Sequence, residues 1–169
     1  MDETNKCFIV LGMHRTASSL IAKGLKQAGV NMGEKLLGPG RGNLSGHFED
    51  LSFLYMNELI LHQAGGKWNS PPPEKAIIKA GKFFKKEIKE LIEKKNKTGL
   101  WGWKDPRTIL TIKCYMPYLH DPCFYVCLRK PEMIADSLKR RDETSIEFGV
   151  KLAAIYHKRL VDFLVEWGN

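Results

Sequence analysis

The run Lys6-Cys7-Phe8-Ile9-Val10-Leu11, ending at Gly12, constrains this chain more than any other feature. It is short, apolar and partly β-branched, the signature of a buried strand that feeds a turn. Ser18 or Ser19 then provides a helix cap, and the helical pattern continues to about Ala28 and stops at Gly29. The same order returns twice. A short strand at Leu100 to Trp103 runs through Lys104 into Asp105-Pro106, an N-cap residue before a proline, which opens a helix ending near Pro117. Cys123 to Arg129 is the most strand-like run in the chain, and Pro131 opens a helix to about Arg141. Further helices are expected from Glu49 to about Ala64 and, behind the capping box Thr144-x-x-Glu147, to about Trp167. Strands followed by helices predict an α/β fold with a parallel sheet. Such sheets bind ligands at the carboxyl ends of their strands, here Gly12, Lys104 and Arg129.

With 43% hydrophobic and 27% charged residues in 169, the chain is expected to form one globular domain over residues 1–169 with its own core. That composition excludes disorder of the chain as a whole. No apolar run approaches the roughly 20 residues needed to cross a bilayer. The acidic start Met1-Asp2-Glu3-Thr4-Asn5 lacks the basic and apolar regions of a secretory signal, so the expected address is cytoplasmic. Cys7, Cys114, Cys123 and Cys127 are too few and too scattered for a disulfide framework and read as buried thiols. Cys123 and Cys127 share one face of an apolar strand, which favours a structural role over metal ligation, and no metal is expected.

The formal charge is +8, and residues 75–97 carry +6 of it, with nine lysines against three glutamates. Apolar residues recur through that segment with a mostly helical period, which predicts one amphipathic helix with a lysine-rich outer face. Such a face is either simply solvated or a docking surface for an anionic acceptor or membrane headgroups. Specific nucleic-acid binding is not expected, because the segment lacks the interleaved aromatic residues of a stacking platform.

The loop Gly12-Met13-His14-Arg15-Thr16-Ala17-Ser18-Ser19 lies between a strand and a helix start, where backbone N–H groups and the helix dipole attract a phosphate or sulfate-like group. The nucleoside-triphosphate pattern G-x-x-x-x-G-K-[ST] is not met, since Ala17 and Ser18 stand at its second glycine and its lysine. Mg²⁺-dependent triphosphate chemistry is therefore disfavoured. Arg15 can bind phosphate bidentately and neutralise charge building on a bridging oxygen, or serve as a structural arginine at a strand end.

This loop resembles the 5′-phosphosulfate loop of P-loop sulfotransferases, whose bacterial branch commonly reads H-R-S-G-T-S; here it is His14-Arg15-Thr16-Ala17-Ser18-Ser19. Three more segments agree in order and spacing. Asn43-Leu44-Ser45-Gly46-His47-Phe48-Glu49 resembles the family's N-x-x-G-[HY]-[FW]-E segment. Trp101-Gly102-Trp103-Lys104-Asp105-Pro106-Arg107 resembles its K-D-P-R segment, and Arg129 with Ser137 eight residues on resembles its 3′-phosphate-binding pair. The resemblance spans roughly residues 7 to 160. It implies a three-layer α/β fold with a parallel sheet of P-loop topology, lacking the C-terminal strand into which related sequences usually continue past the position of Asn169. It also implies an enzyme that moves a sulfuryl group from 3′-phosphoadenosine 5′-phosphosulfate to a hydroxyl or amine without a metal, releasing 3′-phosphoadenosine 5′-phosphate.

Through the same resemblance, His14, Arg15, Thr16, Ala17, Ser18 and Ser19 surround the 5′-phosphate, and Arg129 and Ser137 hold the 3′-phosphate. Arg15 stabilises the leaving oxygen, Lys104 is a second cation near the sulfuryl oxygens, and Glu49, at a helix start, is the base that takes the acceptor's proton. Asp105 is the rival base, although its place before Pro106 also suits an N-cap. His14 and His47 flank this region and equally fit loop packing. The acceptor, a small molecule, carbohydrate or lipid, would be lined by the loops Gly38 to Asn43 and Gly65 to Pro73. Ala17, where the family usually has glycine, would be strained if that position needs a positive φ. A non-catalytic nucleotide- or anion-binding domain on the same fold is the alternative function.

Overall fold

The structure, a computed structural model, describes residues 5–40 and 46–168. The strands β1 (Lys6–Gly12), β2 (Leu100–Lys104) and β3 (Cys123–Cys127) are parallel and lie in the order β2–β1–β3. Val10 pairs with Lys104 on one side and Tyr125 on the other, so the three strands end along a common edge of the sheet. Asn31 extends the pairing beyond β2, accepting from Gly102 N–H and donating to the Leu100 carbonyl.

Alternation along β1 divides the core in two, as the two-residue period of a strand requires. Cys7, Ile9 and Leu11 point into the larger cluster with Trp101, Trp103 and Phe53, whereas Val10 points into a smaller one with Ala22, Leu25, Val30 and Met32. Helix α1 (Ser18–Gln27) covers the smaller cluster. The larger one is covered by α2 (Leu51–Gln63), α3 (Glu74–Phe83), α4 (Lys85–Lys95), α5 (Thr108–Tyr115), α6 (Pro131–Asp142) and α7 (Ile146–Trp167). Phe53 on α2 stacks on Trp103 at 4.1 Å between ring centres, with the planes parallel. Within this apolar layer Asn57 is fully buried and is satisfied by three hydroxyls. Its Nδ2 donates to Thr108 Oγ1 (3.1 Å), and its Oδ1 accepts from Thr111 (2.6 Å) and Tyr115 (2.8 Å). Thr108 Oγ1 also accepts from Trp103 Nε1, so one polar network joins α2, β2 and α5.

Several boundaries differ from expectation, each for a local reason. The lysine-rich segment forms two helices, broken at Phe84. Gly81, where a Cβ would overlap the Cys114 sulfur, brings α3 close against α5, and the chain re-aims at Phe84 so that Ile88 and Ile92 reach the same core. Lys95 is not on the solvated face but buried against Asp50. Helix α5 starts at Thr108 instead of Pro106, because the Asp105 carboxylate accepts the Arg107 N–H and holds a turn there. Ser145, not Thr144, caps α7, accepting from Phe148 N–H at 3.1 Å. Cys7 and Cys114 are buried thiols, but Cys123 and Cys127 are only half-buried because β3 is an edge strand; all four are free. Among the described residues no helix is long and apolar enough to cross a membrane.

Replacing Asn57 by Ala leaves Thr108, Thr111 and Tyr115, all buried, without a shared partner. The expected loss is about 3 kcal/mol, larger than for Thr111→Val, which removes one arm only; urea denaturation of both variants measures the difference.

Candidate functional site

The edge where the strands end opens into a cleft of about 390 Å³. Its walls include Arg15 from the β1–α1 loop, Ser18 and Ser19 from the first turn of α1, Lys104 from the end of β2, Arg129 after β3, Glu49 from the segment before α2, and Arg141 near the end of α6. Residues far apart in sequence meet here because a parallel sheet delivers every strand end to the same side.

The β1–α1 loop is built around backbone of unusual hand. Gly12 is needed because a Cβ there would lie 2.6 Å from Thr16 Oγ1 and 2.8 Å from Cys127 Cβ. Arg15 (φ 70°) and Ala17 (φ 64°) are both left-handed, with Thr16 between them. Such an alternation turns successive N–H groups toward one point and makes an anion-binding concavity at the helix N-terminus. Ala17 precedes α1 without a side-chain cap, so Ser18 is the first helical residue and neither serine is the cap. Thr16 is buried and does not line the cleft; its hydroxyl donates to the Met13 carbonyl at 2.8 Å, closing the loop on itself.

Arg15 gathers Arg129, which follows β3, and Ser137 on α6. Its Nε donates to Ser137 Oγ at 2.7 Å, and Arg129 Nη1 donates to the Arg15 carbonyl at 2.9 Å. Ser137 thus lies on the inner face of α6, as the spacing requires, but its hydroxyl is directed at Arg15. Burial first, then the nearby Arg141 and Arg129, pull the Arg15 guanidinium below its usual value. Crowded cations of this kind favour a bound anion that relieves their repulsion.

Glu49 lies outside α2. Asp50 is the cap, its carboxylate accepting from Ser52 N–H at 2.8 Å, and Gly46 and Phe48 take positive φ to bring the chain to it. The partners of Glu49 are therefore side chains instead of the α2 N-terminus. Its Oε1 is 2.8 Å from Lys104 Nζ and its Oε2 3.6 Å from Arg107 Nη1, all three groups being largely buried. Lys104 also donates to the His47 carbonyl at 3.2 Å and to Ser19 Oγ at 3.4 Å. Asp105 is fully buried; burial pushes its carboxyl up, while Arg107 pulls it back through its side chain and its N–H. For Arg107, Asp105 and Glu49 outweigh the burial that would lower it and raise its guanidinium. Asp105 faces Arg107 and does not line the cleft, which leaves Glu49 as the carboxylate at its wall among the described residues.

His14 lines the cleft with its ring 4.4 Å from that of Trp68, and the Arg141 guanidinium lies 5.6 Å from the Trp68 ring centre. Burial, then Arg107, Arg141 and Lys104, hold the His14 imidazole well below its ordinary value, and among the described residues its buried Nε2 has no hydrogen-bond partner. His47 lines the cleft as well and is lowered chiefly by burial.

Arg107, Arg141 and Lys23 have no individual role among the sequence expectations, and Trp68 enters them only as part of the loop Gly65 to Pro73. Arg141 falls four residues after Ser137 and so shares its face of α6, a signal the sequence carries. Trp68 offered none, because a loop tryptophan reaches His14 only through tertiary packing. Asn43, Leu44 and Ser45, quoted for the resemblance, lie outside the described residues, as does part of the loop Gly38 to Asn43. Among the described residues no group of three or more His, Cys, Asp or Glu side chains could hold a metal ion.

Two outcomes follow from this geometry. A buried imidazole held neutral contributes stability above its unfolded pKa, about 6.5, and that contribution is lost as pH falls below it. The thermal midpoint of the protein is expected to fall between pH 7 and pH 5, and His14→Gln to flatten that fall in parallel melts. Ala17→Gly is expected to raise stability by up to about 1 kcal/mol in urea denaturation, because relief of a left-handed alanine outweighs the added freedom of the unfolded chain.

In comparison with known proteins, no family model matches the chain, and neither a curated protein nor a solved structure matches it.

Proposed function

We propose that the protein is a sulfotransferase of P-loop topology that transfers a sulfuryl group from 3′-phosphoadenosine 5′-phosphosulfate to a hydroxyl or amine. The observation that carries this reading is the meeting of Arg15, Lys104, Arg129 and Glu49 around one cleft at the strand ends. Among the described residues five cations, Arg15, Lys23, Lys104, Arg129 and Arg141, line the cleft against one carboxylate, Glu49, a balance suited to a nucleotide bearing several phosphate charges.

In the proposed reaction the acceptor's lone pair forms a bond to sulfur while the bond from sulfur to the bridging oxygen breaks. The electron pair leaves on the 5′-phosphate of 3′-phosphoadenosine 5′-phosphate, and the acceptor's proton goes to a base. Negative charge grows on the bridging oxygen, where the Arg15 guanidinium and the first N–H groups of α1 stabilise it most. Arg15 remains charged throughout and acts by electrostatics. Lys104 serves the sulfuryl oxygens, and Glu49 beside it takes the proton. To do so Glu49 must loosen its contact with Lys104, and a sulfuryl group arriving near Nζ offers Lys104 a competing anionic partner.

The cations at both oxygens of Glu49 favour one second reading, a domain that binds the nucleotide without turnover. Calorimetric titration and an assay with sulfur-labelled donor separate the two. The sulfotransferase is expected to bind 3′-phosphoadenosine 5′-phosphate more tightly than ATP and to transfer label, and Arg15→Ala to slow transfer by about 100-fold or more. Unchanged transfer by Arg15→Ala refutes its role, and binding without transfer to any acceptor supports the second reading.

A further inference from the structure

The outer face of α3 carries a charge that the cleft does not use. Lys75, Lys79 and Lys82 project from the side of the helix opposite Ile77, Ala80 and Gly81, and Lys85 follows at the break. Among the described residues none of these four lysines is ion-paired. The contrast with α4 is local: there Lys86 and Lys89 meet Glu90 and Glu93 one turn on, and Lys94 meets Glu34. The acidic residue of α3, Glu74, is directed to Lys113 and Arg159. Beside the unpaired lysines stands Phe83, whose exposure of 71% is the highest of any aromatic side chain among the described residues. It walls an apolar hollow of about 470 Å³ formed with Ala64, Ala76 and Ala80, with Lys79 and Lys82 at its rim.

We propose that this face docks on an anionic bilayer surface, with Phe83 entering the boundary between headgroups and acyl chains and the four lysines lying among the headgroups. Three features select a bilayer. Every basic residue of segment 75–97 is lysine, whereas among the described residues three of the five cations lining the cleft, Arg15, Arg129 and Arg141, are arginine. Lysine is a compact, flexible point charge suited to mobile headgroups, while arginine's rigid fork suits a fixed phosphate. A protruding phenylalanine next to those charges, its ring packed edge-on against the half-buried Phe84, provides the apolar anchor of an interfacial helix. Nucleic acid would require successive aromatic residues along a groove, and this face offers one. The proposal is independent of the sulfuryl-transfer reading.

Co-sedimentation of the full chain with phosphatidylcholine vesicles, with and without 30% phosphatidylserine, tests it. Binding is expected only to the anionic vesicles and is expected to fade between about 0.05 M and 0.5 M salt as the charges are screened. Each lysine near an anionic surface adds substantially to binding, so Lys75→Glu, Lys79→Glu and Lys82→Glu together are expected to weaken it at least about tenfold. Phe83→Ser is expected to weaken it several-fold at constant charge. These side chains are exposed, so unchanged thermal midpoints establish that the variants are folded. The proposal is overturned if anionic vesicles are not bound, if lysine reversal leaves binding intact, or if Phe83→Ser has no effect. It is equally overturned if duplex DNA binds as tightly as the anionic vesicles.

Discussion

The buried ion cluster at the end of β2 holds the cleft together. Lys104, Glu49, Asp105 and Arg107 are largely withdrawn from water, and each is tolerable there only while the others stay in place. Through Lys104 the cluster ties β2 to Ser19 in the first turn of α1 and to the His47 carbonyl, and through Arg107 it reaches Glu58 on α2. The positions of three separate chain segments are thereby coupled to a few charges. A second buried pair reinforces the arrangement, since Asp50, next to Glu49, both caps α2 and meets Lys95 at the end of α4. The segment that delivers Glu49 is therefore fixed at both of its neighbouring contacts.

The β1–α1 loop spends stability on geometry. Two non-glycine residues in left-handed conformation are unfavourable by themselves, and they persist because Gly12, Thr16 and the Arg129 contact determine the loop's path from outside. The same path crowds Arg15, Arg129 and Arg141. Backbone strain and like-charge repulsion are thus concentrated in one loop at the strand ends. The lysines of α3 differ in kind: they are well spaced, solvated and free of strain, so they act through long-range attraction instead of a fixed site.

Much of this was legible in the sequence because it rests on local rules. The strand at Lys6 to Leu11, the glycine after it and the helix behind it follow from periodicity and turn chemistry, and the same rules locate Lys104 and Arg129 at strand ends. Helix boundaries were less legible. Asp105 before Pro106 and Thr144 before Glu147 have the chemistry of helix caps, yet Arg107 captures the first carboxylate and Ser145 stands at the second cap. Tertiary partners competed with local preference and prevailed. The lysine-rich segment shows the same limit: its helical period is real, but the place where it breaks depends on the fit of Gly81 against α5.

By itself the sequence determined that the chain forms a parallel α/β sheet whose strand ends bear Arg15, Lys104 and Arg129, because strand and helix signals are short-range and written in residue order. Only the tertiary structure decided how those cations are shared. It set Arg15 between Ser137 and Arg129, enclosed Glu49 between Lys104 and Arg107, took Lys95 out of the basic surface to meet Asp50, and left Phe83 exposed beside lysines that form no ion pair among the described residues. The physical reason is range: a hydrogen bond or ion pair is defined over a few ångströms in space, and the residues that form these lie tens of positions apart along the chain.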